Sequence, residues 1–323
     1  MSNNAEPTVA VKLFIDKEKK RVMFAESDKE FVDVLFSFLM LPLGTIVRAL
    51  GKQSELGCLD EMYKSVESLS IDHFQTKACK TMLLRPLNAA AIQCDGLNVK
   101  VDDTNNPRAC YVCSNSYCLT RSYSSVPDAI CKSCYCGLSL RHVTMNAAIG
   151  NSVDGVFVRS VSIFPLLDKF GLHGQANVEE KILQLNSYKM AILLKRALLS
   201  KEPLTGLYSD AAFTSESDAV NLDQLPENMF PKQSKFIPIK MKLVQTTDDS
   251  SVLYAEAGQD FIDTVFGLLN VPLGSIVKAY RQWFPNGCVH NLYESIEGSA
   301  RERIKEECKS LLLSPKFALW KQH

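Results

Sequence analysis

Histidine is scarce in this chain. Only His73, His142, His173, His290 and His323 occur among 323 residues, and none stands in a triad or a metal-ligand motif. The commonest general base is therefore missing from any recognisable catalytic arrangement. Charge of one sign is missing too. Thirty-six Lys and Arg balance thirty-six Asp and Glu, so no global field draws the chain to nucleic acid or to an anionic bilayer. Long apolar runs are also absent. The most apolar stretch, VLFSFLMLPLGTIV at 34–47, lies between Asp33 and Arg48 and is broken by Pro42 and Gly44. A bilayer span needs about 20 such residues, so a buried core helix is expected and no membrane contact. The opening MSNNAEPTVAVKLFID has neither the charged start nor the apolar core of a secretory signal.

Cysteine, by contrast, is plentiful. There are eleven, six of them between 110 and 136. An odd total without a secretory signal argues against a disulfide framework and for a reducing compartment, cytoplasmic or nuclear.

The chain also repeats itself. LPLGTIVRAL at 41–50 returns as VPLGSIVKAY at 271–280. Setting 11–67 against 241–297 at a constant offset of 230 gives 20 identities in 57 positions without a gap. KACKTMLLRP (77–86) matches EECKSLLLSP (306–315) after a one-residue slip. Each copy, about 80 residues long, predicts a β-hairpin from Val9–Ile15 and RVMFAE. A helix follows, with Ser27 and Glu30 as its capping box and Phe31, Val34, Leu35 and Phe38 on its buried face. Pro42 and Gly44 then break that helix and turn the chain into a second short one, TIVRAL. The repeated phrase is thus a helix–turn–helix joint. A phosphate loop would need several glycines and a Lys-Ser or Lys-Thr pair. Cys58 and Cys288 are equivalent, as are Cys79 and Cys308, and all four are expected as small buried side chains.

Between the copies lies a polar, turn-rich segment with Cys110-x₂-Cys113, seventeen residues, and Cys131-x₂-Cys134. Two such gaps aim paired thiolates at one point, where Zn²⁺ accepts four ligands tetrahedrally. A segment so poor in large apolar residues needs a metal in place of a core. Cys118 and Cys136 are alternative ligands, because Cys113-x₄-Cys118 is also permitted and the second knuckle reads CKSCYCG. Four thiolates make a closed, structural zinc site. Arg108, Arg121, Lys132 and Arg141 interleave with Tyr111, Tyr117, Tyr123 and Tyr135, a mixture that suits single-stranded nucleic acid. Over 105–142, however, four basic residues face one acidic, Asp128. The two negative charges of a Zn(Cys)₄ centre leave about +1, a poor footprint for phosphates.

Farther on, a strand is expected at 154–160, a short helix to Phe170, and two amphipathic helices near 178–185 and 188–200, the last stopped by Pro203. Lys195 and Arg196 form its solvated face. The fold class expected is α+β: two homologous modules, each a β-hairpin plus helices, flanking a zinc-ribbon-like insert and a helical segment. The divisions are 1–87 for the first copy, 88–145 for the cysteine-rich insert, 146–205 for a strand plus helices, 206–234 for a linker and 235–323 for the second copy.

KLFIDKEKKRVMFAESDKEFVDVLFSFLMLPLGTIVRAL, the cysteine segment and LLKRALLSKEPLT together resemble a plant group known as domain of unknown function 674. The resemblance implies a plant source and a duplicated module with a cysteine-rich insert, and it implies no activity. The usual ribbon form has Gly after the last cysteine. Here Tyr135 follows Cys134 and Gly137 follows Cys136. The expected function is that of a non-enzymatic interaction or scaffold protein, with protein partners and a structural zinc. The alternatives are a nucleic-acid-binding zinc ribbon, or an enzyme whose cleft lies between the two copies.

Overall fold

The computed structural model describes residues 6–88, 94, 96–102, 109–112, 123–124, 141–144, 178–209, 239–247, 251–280, 287–298, 304 and 306–315. The chain is mixed α+β. In the first copy β1 (Val9–Asp16) and β2 (Arg21–Ser27) form the expected hairpin. Alternate residues of β1 explain its placement: Val9, Val11, Leu13 and Ile15 are each no more than 2% exposed. Helices α1 (Lys29–Phe38), α2 (Leu43–Ala49), α3 (Leu59–Ser68) and α4 (Lys77–Leu84) follow.

The start of α1 differs from the expected capping box. Asp28 is the N-cap, its carboxylate accepting from the Phe31 amide at 3.2 Å. Ser27 is instead the last residue of β2, and Glu30 accepts from the Asn98 amide at 2.9 Å. A strand that runs one residue farther leaves the cap to the next polar side chain.

In the cysteine-rich region β3 (Ala109–Val112), β4 (Tyr123–Ser124) and β5 (Arg141–Thr144) make a three-stranded antiparallel sheet in the order β4-β3-β5. Next comes a correction. Residues 178–185, expected as a helix, are strand β6 (Val178–Leu185), antiparallel to β1 with Val9 opposite Leu185 and Asp16 opposite Val178. Val178, Ile182 and Leu185 have helical spacing, but β1 offers an open row of backbone donors and acceptors, and ladder pairing prevails over local periodicity. Helix α5 (Ser187–Leu199), capped by Asn186, and α6 (Pro203–Tyr208), with proline in its first turn, complete this half.

The second copy repeats the first closely: β7 (Met241–Gln245), β8 (Val252–Ala257), α7 (Gln259–Gly267), a 3-10 turn (Leu268–Asn270), α8 (Leu273–Tyr280), α9 (Cys288–Glu297) and α10 (Glu306–Leu313). Even the irregularity of the hairpin recurs. The β1–β2 register slips between Phe14 and Ile15, and the β7–β8 register between Val244 and Gln245, 230 residues later.

Within each copy one tyrosine ties the third helix to the end of the fourth. The Tyr63 hydroxyl donates to the Leu84 carbonyl and the Tyr293 hydroxyl to the Leu313 carbonyl, both at 2.8 Å. Burial pushes the Tyr63 phenol above its usual range, against the opposing pull of Arg48, so it remains a donor at neutral pH. The Leu84 carbonyl also accepts from Arg48 Nη1 at 2.9 Å. Tyr293→Phe should therefore cost about 1–2 kcal/mol, and Tyr63→Phe less, because Arg48 still satisfies Leu84. Urea unfolding of the two variants checks the order. Equal losses would mean that Arg48 contributes nothing at this carbonyl.

Candidate functional site at the joint between the copies

Pro42-Leu43-Gly44 and Pro272-Leu273-Gly274 face one another. The Leu43 amide donates to the Val271 carbonyl at 3.0 Å, and the Leu273 amide donates to the Leu41 carbonyl at 2.9 Å. Pro42 and Pro272 form an antiparallel bridge between these bonds. Each contact is the other with 230 added or subtracted, so the copies meet about a local pseudo-two-fold axis. Prolines suit the centre of such a bridge, since they have no amide to leave unsatisfied.

The glycines admit this approach. Neither is in the left-handed region, which among the described glycines is occupied by Gly51 and Gly57. A β-carbon on Gly44 would come within 3.1 Å of the carbonyl oxygens of Leu269 and Leu83. One on Gly274 would come to 2.9 Å from the Leu39 oxygen and 3.3 Å from the Leu312 oxygen. Each glycine therefore sits against one carbonyl of the opposite copy and one of its own fourth helix. Leu39 and Leu269, also equivalent, are fully buried. Leu269 enters a cluster with Val47, Met62, Tyr63 and Val66 of the first copy. Leu39 belongs to the larger cluster that contains Tyr293, Ile296 and Leu312. Sequence reading identified the phrase as a turn within each copy and missed that the two turns bind each other. The pairing of two prolines at equal offsets was the only hint.

Helix α5 packs against α9. The Cys288 thiol donates to the carbonyls of Ser200 (3.1 Å) and Lys201 (3.4 Å) just past the end of α5, and burial pushes that thiol up from its ordinary pKa. Between these helices and α8 lies a hollow of about 320 Å³, lined by Ala197, Leu198, Ile276, Val277, Tyr280 and His290 among others. That volume lies at the lower end of the range for small-ligand pockets. The walls are largely apolar, with Tyr280 and His290 carrying the polar side-chain groups of the lining. His290 Nδ1 is buried without a hydrogen-bond partner among the described residues, while Nε2 lies 4.0 Å from Glu294. A lone imidazole can hold or accept one proton. Among the described lining residues the Tyr280 phenol is the other ionisable group, and the lining includes no carboxylate.

Two further expectations need correcting here. Lys195 and Arg196 do not form a solvated face. Lys195 reaches the first copy, donating to the Gln53 carbonyl at 2.7 Å and to Glu55 at 2.6 Å, and Arg196 is 7% exposed, its guanidinium lying over Gly206. Long basic stems reach across helical packing to polar ends that a helical wheel cannot show. Cys58, expected buried, is exposed, whereas Cys308 is buried and Cys79 and Cys288 are intermediate. The end of α5 covers Cys288, and among the described residues no equivalent cover lies over Cys58.

Of the predicted zinc ligands, Cys110 lies on β3 opposite Val143 of β5. Cys113, Cys131 and Cys134, with the alternatives Cys118 and Cys136, lie outside the described residues. Among the described residues no three His, Cys, Asp or Glu side chains converge as metal ligands, and no helix is long and apolar enough to cross a membrane.

No curated protein and no solved structure matches the chain. One family model does, that of protein of unknown function (DUF674), over residues 5–175 and again over 160–323. Its two matches fall on the two halves that the joint holds together, and the chain belongs to this family.

Proposed function

We propose that this is a non-enzymatic interaction or scaffold protein, in which two homologous modules are locked together and the hollow beside their joint receives an apolar side chain of a partner protein. The observation that carries the reading is the chemistry of that hollow: Ile276, Val277, Ala197 and Leu198 offer apolar area with a single imidazole. Concave apolar sites with one polar anchor are where partner side chains insert as anchors. The cysteine-rich insert is stabilised by one structural zinc, held by Cys110, Cys113, Cys131 and Cys134, with Cys118 and Cys136 as the alternative ligands. Support for the metal is the spacing of two CxxC pairs in a segment with little core of its own. The working compartment is cytoplasmic or nuclear, on the cysteine chemistry already given.

Ala197→Phe tests the reading, because it fills the hollow from α5. Proteins captured from a cell extract by the wild-type chain should be lost with the variant while the melting temperature stays within a few degrees. An identical set of captured proteins would overturn the proposal.

A further inference from the structure

The two hairpins carry the same pattern and are finished differently. On the inward face of the first, Val11 and Leu13 of β1 are 0% exposed and share a core with Phe31 and Val34 of α1. Their equivalents in the second copy, Met241 and Leu243 of β7, are 45% and 50% exposed. Val252 of β8, which the register sets opposite Gln245 on the same face, is 55% exposed. Helix α7, the counterpart of α1, buries no residue.

The open face has a definite shape. Met241 lies opposite Ala257 and Leu243 opposite Ala255, so a ridge of large side chains on β7 runs beside a groove of small ones on β8. Two such faces related by a two-fold axis place each ridge in the other's groove, as the facing side chains of packed sheets interdigitate. The face is also neutral. Lys242 and Glu256 alternate to the other side of the hairpin and pair with each other at 3.1 Å, so no like charges are opposed when the face meets its own image.

We propose that the second hairpin is a self-association surface, and that it packs on the second hairpin of another copy of this chain, ridge in groove about a two-fold axis. The strands flanking β1 in the first sheet are defended against such a contact. Helix α6 lies against β2, where the Val22 amide donates to Thr205 at 3.0 Å, and β6 carries Glu179, Glu180 and Lys181. The large apolar side chains left open on β7, β8 and α7 amount to on the order of 500 Å² per copy, so a pair buries about 1,000 Å², where weak specific interfaces begin. Thirty-six basic and thirty-six acidic residues leave no net charge to hold two copies apart. An unrelated protein would need a groove and ridge of matching spacing, which a second copy already has.

Sedimentation velocity of the full-length chain from about 1 to 100 µM should show monomer giving way to a dimer in reversible exchange. Leu243→Asp, at a side chain already half exposed, should remove the dimer across that range and leave the melting temperature of the dilute chain unchanged. Ala255→Leu, which fills the groove, should weaken dimerisation at least about tenfold, as should Leu243→Ala, which lowers the ridge. The two together exchange ridge and groove and should recover most of the loss, so their effects should not add. Ala197→Phe, which fills the hollow, should leave the dimer intact, because the hollow and this face are separate surfaces. A chain that stays monomeric to the top of the range would overturn the proposal, as would a dimer that survives Leu243→Asp. Losses that simply add in the double variant would overturn it too. A strict monomer that melts earlier with Leu243→Asp would assign the face to another segment of the same chain instead.

Discussion

Valine at Gly274 should destabilise the whole chain by about 3 kcal/mol or more, lowering its melting temperature by roughly 6–12 °C. The β-carbon alone would lie 2.9 Å from the Leu39 oxygen and 3.3 Å from that of Leu312. Both are main-chain atoms within packed helical segments, so neither can swing aside as a flexible side-chain end could. The same substitution at Gly44, with its two oxygens at 3.1 Å, should cost somewhat less. The damage should not be confined to one copy, since each glycine faces a carbonyl of the opposite half. Protection should fall in α2 and α8 together, whichever glycine is changed. Gly258, with nothing within 4 Å of a β-carbon, is the control, and Gly258→Ala should melt with the wild type. Two unchanged melting curves for the valine variants would mean that the repeated phrase is kept for something other than the joint.

Loss of the metal should have the second large effect, and a local one. Protein purified under reducing conditions without chelator is expected to carry about one zinc per chain, because a single cluster has four-cysteine spacing. Cys113→Ser should abolish it. Cys58→Ser, at an exposed position in the first copy, should retain it, and single changes at Cys118 or Cys136 should be better tolerated. Chelation should release the amides of β3 and β5 while those of β1 stay protected, since the β1 core is built from apolar side chains. A metal content near zero in reduced protein would exclude the site.

Legibility in the sequence tracked the range of the interaction that decides each element. The hairpins and the break at Pro42-Leu43-Gly44 depend on neighbours a few residues away, and the pattern predicts them. On α1 it places Phe31, Val34 and Phe38 in the core, while Leu35 is only partly buried and Phe36 is buried in addition. Strand β6 was misread because its partner, β1, lies about 170 residues upstream, and no local periodicity encodes an open edge at that distance. Lys195 was misread for the same reason: its carboxylate partner, Glu55, is 140 residues away. Offset alignment made the duplication plain, but an alignment says that two segments are alike and not that they touch. The apolar hollow was invisible because its walls come from three helices of separate sequence regions, α5, α8 and α9. The cysteine spacing, by contrast, is a local pattern, and all of its cysteines but Cys110 lie outside the described residues.

The reciprocal bridge at the two prolines has the geometry of a homodimer contact, in which one patch meets its own image across a two-fold axis. As a contact between separate molecules it would depend on concentration, and its few direct backbone bonds (Leu43 to Val271, Leu273 to Leu41 and Gly274 to Leu39) with a pair of exchanged leucines would hold only weakly. Carried on one polypeptide, the same patches see each other at an effective concentration on the order of millimolar, set by the tether and not by expression level. Fusion also releases the patches from having to be identical. One copy has a cysteine-rich insert after its fourth helix, and the other has Lys278 and Ser314, which hydrogen-bond to each other, where the first has Arg48 and Arg85. A symmetric pair thus becomes a heterodimer in a single chain, able to specialise one half while the other preserves the contact.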